Sequence, residues 1–170
     1  MNAPRDWLRQ CNAHRSIPRQ TARPLPNRLL EISPRDQVIR TVRLVSTEGL
    51  TGQYAALSYC WGGLQKGILT SSNIDAWYQN INEAYLSKTV RDAIKVTRGT
   101  GLQYLWVDAL CIVQDSESDK HREIASMAYI YQNSTLTIVA ASASNSKEGF
   151  LEFRKYSENS FKIPVLIRSG

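Results

Sequence analysis

The spacing of hydrophobic residues changes repeatedly along the chain between a strand-like and a helix-like pattern. Short apolar runs rich in β-branched or aromatic residues predict strands at 37–45, 54–59, 102–107 and 134–143. Apolar residues three and four positions apart predict helices at 71–86, at 87–101 and from about 116 onward. In the third helix this spacing puts four residues on the inward face: Ile124, Met127, Ala128 and Tyr131.

The order of these elements predicts a single α/β domain. Strands that alternate with helices favour a mostly parallel central sheet flanked by helices. We expect this domain to span residues 37–170, with a last strand within 150–168 at the sheet edge because it contains Pro164. The segment 1–36 is rich in arginine and interrupted by prolines, so we expect it to be irregular.

Composition restricts the class of protein. The chain has 170 residues, 42% hydrophobic and 21% charged, which is typical of one soluble globular domain. No apolar run approaches the roughly 18 residues that span a membrane, and no apolar signal core begins the sequence. The cysteines, at 11, 60 and 111, are far apart, which favours a reducing compartment. We therefore expect a cytoplasmic protein with no membrane partner.

The net charge of +6 is confined to the N-terminal part of the chain. Residues 1–45 contain nine arginines and three acidic residues, whereas the remaining residues are neutral overall. A basic groove across the whole domain is therefore absent, and a nucleic-acid partner is not favoured. The arginines are typical of a solvated arm, with an anion contact as the alternative.

Chemically reactive side chains follow two of the predicted strands. The first strand end carries Ser58, Tyr59, Cys60, Trp61, Gly62 and Gly63, and the second carries Asp108, Cys111 and Asp115. In open α/β sheets, ligands bind outside the carboxyl ends of the strands. If the two strands are neighbours, these groups converge in one crevice that would hold a small-molecule ligand.

Glu123 is a candidate catalytic carboxylate on the third helix. It lies at the border of the apolar stripe, one turn after Asp119. A carboxyl group pressed against apolar side chains has a raised pKa, which suits acid–base catalysis. The alternative is a structural ion pair, for example with Lys120 or Arg91.

The other candidates also have structural alternatives. Cys60 and Cys111 have no histidine nearby in sequence to activate them, and free cysteines are commonly small buried hydrophobes. Trp61 is of a residue type that more often packs in a core than against a ligand. Asp108 is equally consistent with a cap on the following turn and with a ligand contact.

Motifs for metals and for nucleotide phosphates are missing. Cys11 and His14 form one pair of potential zinc ligands, but no second pair follows at a suitable spacing. No glycine-rich phosphate-binding loop is present. We expect no metal site and cannot assign a cofactor from motifs.

Three blocks of the sequence resemble the fungal heterokaryon-incompatibility (HET) domain family. They are YAALSYCWGG at 54–63, LSKTVRDAIKVTRGTGLQYLWVDALCIVQDSESD at 86–119 and EIASMAYIYQNSTLTIVAASA at 123–143. The similarity extends over about residues 25–154, because LPNRLLEI and GFLEFR also resemble family segments. Two positions depart from the family pattern: Lys120 stands where a tryptophan is usual, and Ile17 where a cysteine is often found.

The resemblance implies a role in vegetative incompatibility, in which the fusion of unlike fungal strains triggers programmed cell death. The family has been compared with TIR domains, several of which cleave NAD with a glutamate. This implies a TIR- or flavodoxin-like sheet, NAD as the candidate substrate, Glu123 and Asp108 as candidate catalytic residues with Glu123 as the acid, and a pocket shaped by Asp108 and the loop 59–63.

Whether the protein is an enzyme at all stays open at this point. One alternative is a non-catalytic signalling module that forms a homo-oligomer or binds a partner signalling protein. The other is an enzyme that acts on a small molecule in fungal metabolism.

Overall fold

The strands and helices can be followed over most of the central part of the chain. The computed structural model describes residues 6, 9–10, 23–33, 41–63, 65 and 67–152. Cys11, His14 and Ile17 lie outside the described residues, and so does most of the last predicted strand. Its described part, 150–152, forms bends rather than a strand.

Seven strands and four helices have both ends within the described residues, and Asp6, Arg9 and Gln10 are helical as well. The strands are β1 (Arg23–Pro24), β2 (Arg28–Ile32), β3 (Val42–Ser46), β4 (Thr51–Gly52), β5 (Ala55–Ser58), β6 (Tyr104–Trp106) and β7 (Leu136–Val139). The helices are α1 (Ile74–Gln79), α2 (Lys88–Thr100), α3 (Asp108–Cys111) and α4 (Glu117–Asn133), and a 3₁₀ turn covers Glu83–Tyr85.

The main sheet has five strands in the order β3-β2-β6-β5-β7, which confirms the α/β class. Strands β6, β5 and β7 run parallel, as predicted from the helices that connect them. Strands β2 and β3 are antiparallel additions on one side, so the sheet is mixed. Strands β1 and β4 form a separate two-stranded ribbon.

The connection that follows β5 and the connection that follows β6 run in opposite directions along the sheet. The chain passes from β5 through α1 and α2 to its neighbour β6, and then through α3 and α4 back over β5 to β7. Right-handed crossovers, which are the rule for parallel strands, place the helices of these two connections on opposite faces. The carboxyl ends of β5 and β6 therefore flank a topological switch point, where such sheets bind ligands.

The prediction that residues 1–36 are irregular is wrong for β2. Leu29, Leu30 and Ile32 are buried, and their strand lies inside the sheet between β3 and β6. The strand is hard to recognise in the sequence because it is only five residues long, contains Arg28 and Glu31, and lies between Pro26 and Pro34.

The predicted helix over 71–86 is broken in two. Helix α1 ends at Gln79, because Asn80 adopts an extended conformation, and a 3₁₀ turn follows. The N-cap is Asn73, and its side chain bonds to the preceding turn by accepting from the Thr70 amide. Helix α2 agrees with its prediction and ends at Gly101 in the left-handed conformation.

Helix α4 starts as predicted, with Ser116 accepting a hydrogen bond from the Asp119 amide. Its buried residues are Asp119, Glu123 and Ile130, whereas Ile124 is 56% exposed and Ala128 is also exposed. The inward face predicted from apolar spacing is therefore wrong at these two positions. The helix is rotated so that two carboxylates face the body of the protein, where they meet basic and polar groups described below.

Candidate functional site

The first candidate site lies at the switch point between β5 and β6. Tyr59 and Trp61 follow β5, and Asp108 begins α3 directly after β6. Because β5 and β6 are paired in parallel, their carboxyl ends meet at the same edge of the sheet. The structure thus brings together the aromatic residues and the carboxylate that the sequence placed at two separate strand ends.

Asp108 holds this cluster together through its two carboxylate oxygens. The Trp61 indole Nε1 donates to Oδ2 at 2.9 Å, and the Ala109 amide donates to Oδ1 at 2.7 Å. Asp108 therefore fixes the Trp61 ring and binds the amide of the residue that follows it. The N-cap of α3 is Val107 and has no side-chain cap, so Asp108 does not cap this helix in the usual way, and the ligand contact stays a prediction.

The pKa of Asp108 lies above its usual value because the carboxyl group is buried. Hydrogen bonds from Trp61 and the Ala109 amide, together with the nearby Tyr59 hydroxyl, oppose this rise without cancelling it. Burial also raises the pKa of Tyr59 well above its usual range, and the neighbouring charge of Asp108 adds to the effect. At neutral pH Tyr59 is therefore a neutral hydrogen-bond donor, and Asp108 takes up a proton more readily than an exposed aspartate.

Two further side chains surround this cluster and were not predicted as site residues. Gln65 accepts a hydrogen bond from the Tyr59 hydroxyl at 3.2 Å. Tyr131 of α4 stacks edge-on against Trp106 with ring centroids 5.5 Å apart, and burial and the charge of Asp108 raise its pKa to about 12. Nothing in the sequence pattern distinguishes Tyr131 from the other core residues of α4.

The glycine pair after Trp61 has different roles at its two positions. Gly62 has a φ of +69°, and a Cβ there would overlap the Cβ of Asn145. Only glycine therefore fits where this loop approaches the 145 turn, and the Trp61 carbonyl also accepts from the Ser146 amide at 3.3 Å. Gly63 has open space around it. The close approach at Gly62 and the hydrogen bond to the Trp61 carbonyl thus hold the loop that carries Trp61 against the 145 turn.

The cysteines and Ser58 contribute little to a reactive site. Cys111 is fully buried, and burial raises the pKa of its thiol to about 12, so it stays protonated at neutral pH. Cys60 is exposed and Ser58 is half-buried at the end of β5. The hypothesis of a cysteine nucleophile finds no activating base among the hydrogen bonds of the described residues.

Asp115 lies outside this cluster and forms its hydrogen bonds with Ser71, shortly before α1. Its two carboxylate oxygens accept from the Ser71 amide at 2.8 Å and from the Ser71 hydroxyl at 2.6 Å. These hydrogen bonds lower the pKa of Asp115. The residue ties two loops together at the surface.

Glu123 is a member of a buried ionic network. Its Oε1 accepts from Asn27 Nδ2 at 2.8 Å and lies 3.7 Å from an Arg28 nitrogen and 3.4 Å from Arg122 Nε. The side chain is almost completely inaccessible to solvent. The structural alternative for Glu123 is thus present, although its partners are these residues rather than Lys120 or Arg91.

Arg28 is the centre of that network, and the sequence did not point to it. It forms an ion pair with Asp119 and donates through Nε to the Cys111 carbonyl at 2.7 Å. Burial alone would raise the pKa of Asp119, but hydrogen bonds from Arg28 and the Val113 amide lower it overall. The arginine-rich segment therefore supplies a buried cation to the domain rather than only a solvated arm.

Searches for two other kinds of feature give negative results within the described residues. No group of three or more His, Cys, Asp or Glu side chains there is arranged to hold a metal ion. No helix in the part of the chain that the structure describes is long and apolar enough to cross a membrane.

The protein is thus an α/β domain with an aromatic–carboxylate cluster at the carboxyl ends of β5 and β6. A comparison with protein families shows which family it belongs to. A family model described as "Heterokaryon incompatibility protein (HET)" matches residues 54–165, which is more than half of the chain. The chain therefore belongs to the heterokaryon-incompatibility family. No curated protein and no solved structure matches it significantly.

Proposed function

We propose that the protein is an effector of heterokaryon incompatibility that promotes cell death, and that Asp108, Trp61 and Tyr59 form its working site. Family membership supports the first part of this proposal. The observation that supports the second is the convergence of these three side chains at the carboxyl ends of β5 and β6.

The chemistry of this site is compatible with ligand binding and with acid–base work. Trp61 and Tyr59 offer aromatic surface and a neutral hydroxyl donor beside a carboxyl group whose pKa is raised. Such a carboxyl group can accept a proton from an attacking water, which is what hydrolysis of a glycosidic bond requires. NAD remains the candidate substrate. Hydrolysis would transfer the ribosyl C1′ from nicotinamide to water and release nicotinamide and a proton.

Glu123 is less suited to this work than Asp108. Its carboxylate is surrounded by Asn27, Arg28 and Arg122 and the residue is 1% exposed, whereas Asp108 is only partly buried. A group in such a network stabilises the fold and is poorly placed to reach a substrate. We therefore assign the acid–base role to Asp108 and a structural role to Glu123.

The proposal can be tested by inducible expression of the full chain in a filamentous fungus. We expect the wild-type protein to reduce viability and cellular NAD, and Asp108→Asn to abolish both at an equal protein level. Asp75→Asn is the matched control, because Asp75 is an exposed aspartate in the first turn of α1. It should behave like the wild type.

The outcomes separate the parts of the proposal. Cell killing by Asp108→Asn at the wild-type level would contradict a working site at Asp108 and would favour a non-catalytic, self-associating module. Killing without loss of NAD would keep the effector role and remove NAD as the substrate. Purified wild-type and Asp108→Asn proteins incubated with NAD, with nicotinamide measured by chromatography, give the same comparison in vitro.

A further inference from the structure

A basic cleft of about 470 Å³ opens where α2 begins. Its polar lining consists of Gln65, Ser87, Lys88, Arg91, Ser146 and Lys147. Among the described residues, this lining has three basic side chains and no acidic one. The volume lies within the range of small-molecule binding sites.

Two polar atoms of the lining are buried and have no hydrogen-bond partner in the described residues. They are Ser87 Oγ and Gln65 Nε2. Ser87 is the N-cap residue of α2, yet its side chain does not cap the helix. Buried polar groups normally have partners, because leaving them without one costs free energy. Both side chains line the cleft, and a rotation of either one would bring its unpartnered atom to a ligand there.

The charges around the cleft favour an anion. The N-terminus of α2 carries the positive end of the helix dipole, and the first turn of this 13-residue helix contains no acidic residue. Lys88 forms an ion pair with Glu152 at 2.6 Å, but Arg91 and Lys147 form none with any residue in the described parts of the chain. Two cations thus face the cleft without a counter-ion from these residues.

We propose that this cleft binds the phosphate group of a small molecule. The Ser87 hydroxyl, the Gln65 amide nitrogen, Arg91 and Lys147 all donate hydrogen bonds, and a phosphate accepts several through its oxygens. The inference does not depend on catalysis at Asp108. The two sites are nevertheless connected, because Gln65 also accepts the hydrogen bond from Tyr59. The Gln65 side-chain amide would therefore bond to the Tyr59 hydroxyl through its oxygen and to a bound phosphate through its nitrogen.

Isothermal titration calorimetry of the full chain with inorganic phosphate, pyrophosphate and ADP tests this inference. We expect binding that weakens as salt is added, and a loss of about tenfold or more in affinity for Arg91→Gln, which removes a charge-assisted contact. Lys147→Gln should weaken binding in the same direction. Equal affinities for pyrophosphate and ADP would mean that the phosphates alone are recognised, whereas tighter binding of ADP would mean that its organic part is also bound.

Two further variants distinguish a built site from general attraction to a basic protein. Arg43→Gln removes the same charge from an arginine on β3 that pairs with Glu31, and it should leave the affinity unchanged. Ser87→Ala should weaken binding without lowering the unfolding midpoint, because Ser87 Oγ has no partner in the free protein. The inference is overturned if none of the three anions binds, if Arg43→Gln weakens binding as much as Arg91→Gln, or if Ser87→Ala lowers stability and leaves affinity intact.

Discussion

Single residues in the buried ionic network join the N-terminal segment to α4. Arg28 lies between two carboxylates, Asp119 and Glu123, whose side chains are 8% and 2% exposed. Buried charges are tolerated only when they are paired and hydrogen-bonded. Arg28 therefore supplies the buried counter-charge for two residues of α4.

Replacing Arg28 by alanine should destabilise the fold by about 3–5 kcal/mol, because it leaves two buried carboxylates without their shared cation. Arg122 is the matched control, since it contacts the same two carboxylates but is 59% exposed. Arg122→Ala should cost at most about 1 kcal/mol. Urea unfolding followed by circular dichroism measures both, and equal losses for the two variants would contradict the structural role of Arg28.

The sequence predicted that the groups after two strands, Trp61 and Asp108 among them, would converge if those strands were neighbours, but it gave no sign of the pair Arg28–Asp119, and the reason is physical. Trp61 and Asp108 each follow a strand whose apolar run is visible, and parallel neighbours bring their carboxyl ends together. Arg28 begins β2, which pairs antiparallel with β3 and with β6. Its partner Asp119 is distant in the sequence, and neither the local hydrophobic pattern nor the spacing of residues predicts such a contact.

At the scale of elements, predictions held where a helix has a single apolar stripe and failed where polar contacts decide its orientation. Helix α2, predicted over 87–101, buries one stripe that includes Val90, Ala93, Ile94 and Thr97. Helix α4 instead turns its carboxylates inward, because Arg28 and Asn27 are there to receive them. A hydrophobic pattern alone cannot show that a buried face will be charged.

The end of the described chain is tied to α2 by one buried side chain. Asp92 accepts hydrogen bonds from the amides of Phe150 and Leu151 at 3.0 and 3.2 Å. Burial alone would raise the pKa of Asp92, but these bonds and Lys95 lower it overall. Gly149 makes this approach feasible, because its φ is +71° and a Cβ would lie 2.5 Å from an Asp92 oxygen.

Gly149→Ala should therefore lower the free energy of unfolding by more than a change of backbone preference alone. Gly49→Ala is the control, because Gly49 has a similar φ of +76° but open space around it. We expect about 1 kcal/mol for Gly49→Ala and about 1–3 kcal/mol more for Gly149→Ala, which also crowds Asp92. Thermal and urea unfolding measure the difference, and equal values for the two variants would show that Asp92 moves away freely.

At the scale of the whole molecule, the sheet does not begin at residue 37. Strand β2 lies between β3 and β6, so a chain that starts at 37 lacks an interior strand. Its loss also removes the buried side chains of Leu29, Leu30 and Ile32. The boundary suggested by the prolines and arginines of the N-terminal segment is therefore not a domain boundary.

A chain that begins at residue 37 should fail to fold, because β3 and β6 would lose their shared neighbour and the Asp119–Glu123 pair would lose Arg28. A chain that begins at residue 23 keeps every described strand and serves as the control. Circular dichroism and amide exchange compare the two. A cooperative unfolding transition in the shorter chain would contradict the interior position of β2.

The interior position of β2 also has a consequence for how the protein is made. Ribosomes synthesise the chain from its N-terminus at about 5–20 residues per second. Leu105, which pairs with Leu30 in the sheet and lies about 75 residues later, is therefore made several seconds after Leu30. Arg28 waits longer still, until Asp119 has emerged. During that time a strand with two leucines and an isoleucine is exposed to other nascent chains. Its pairing with β3, which follows within about 15 residues, covers one edge of the strand early, so the edge that faces β6 is the one that stays open until Leu105 has been made.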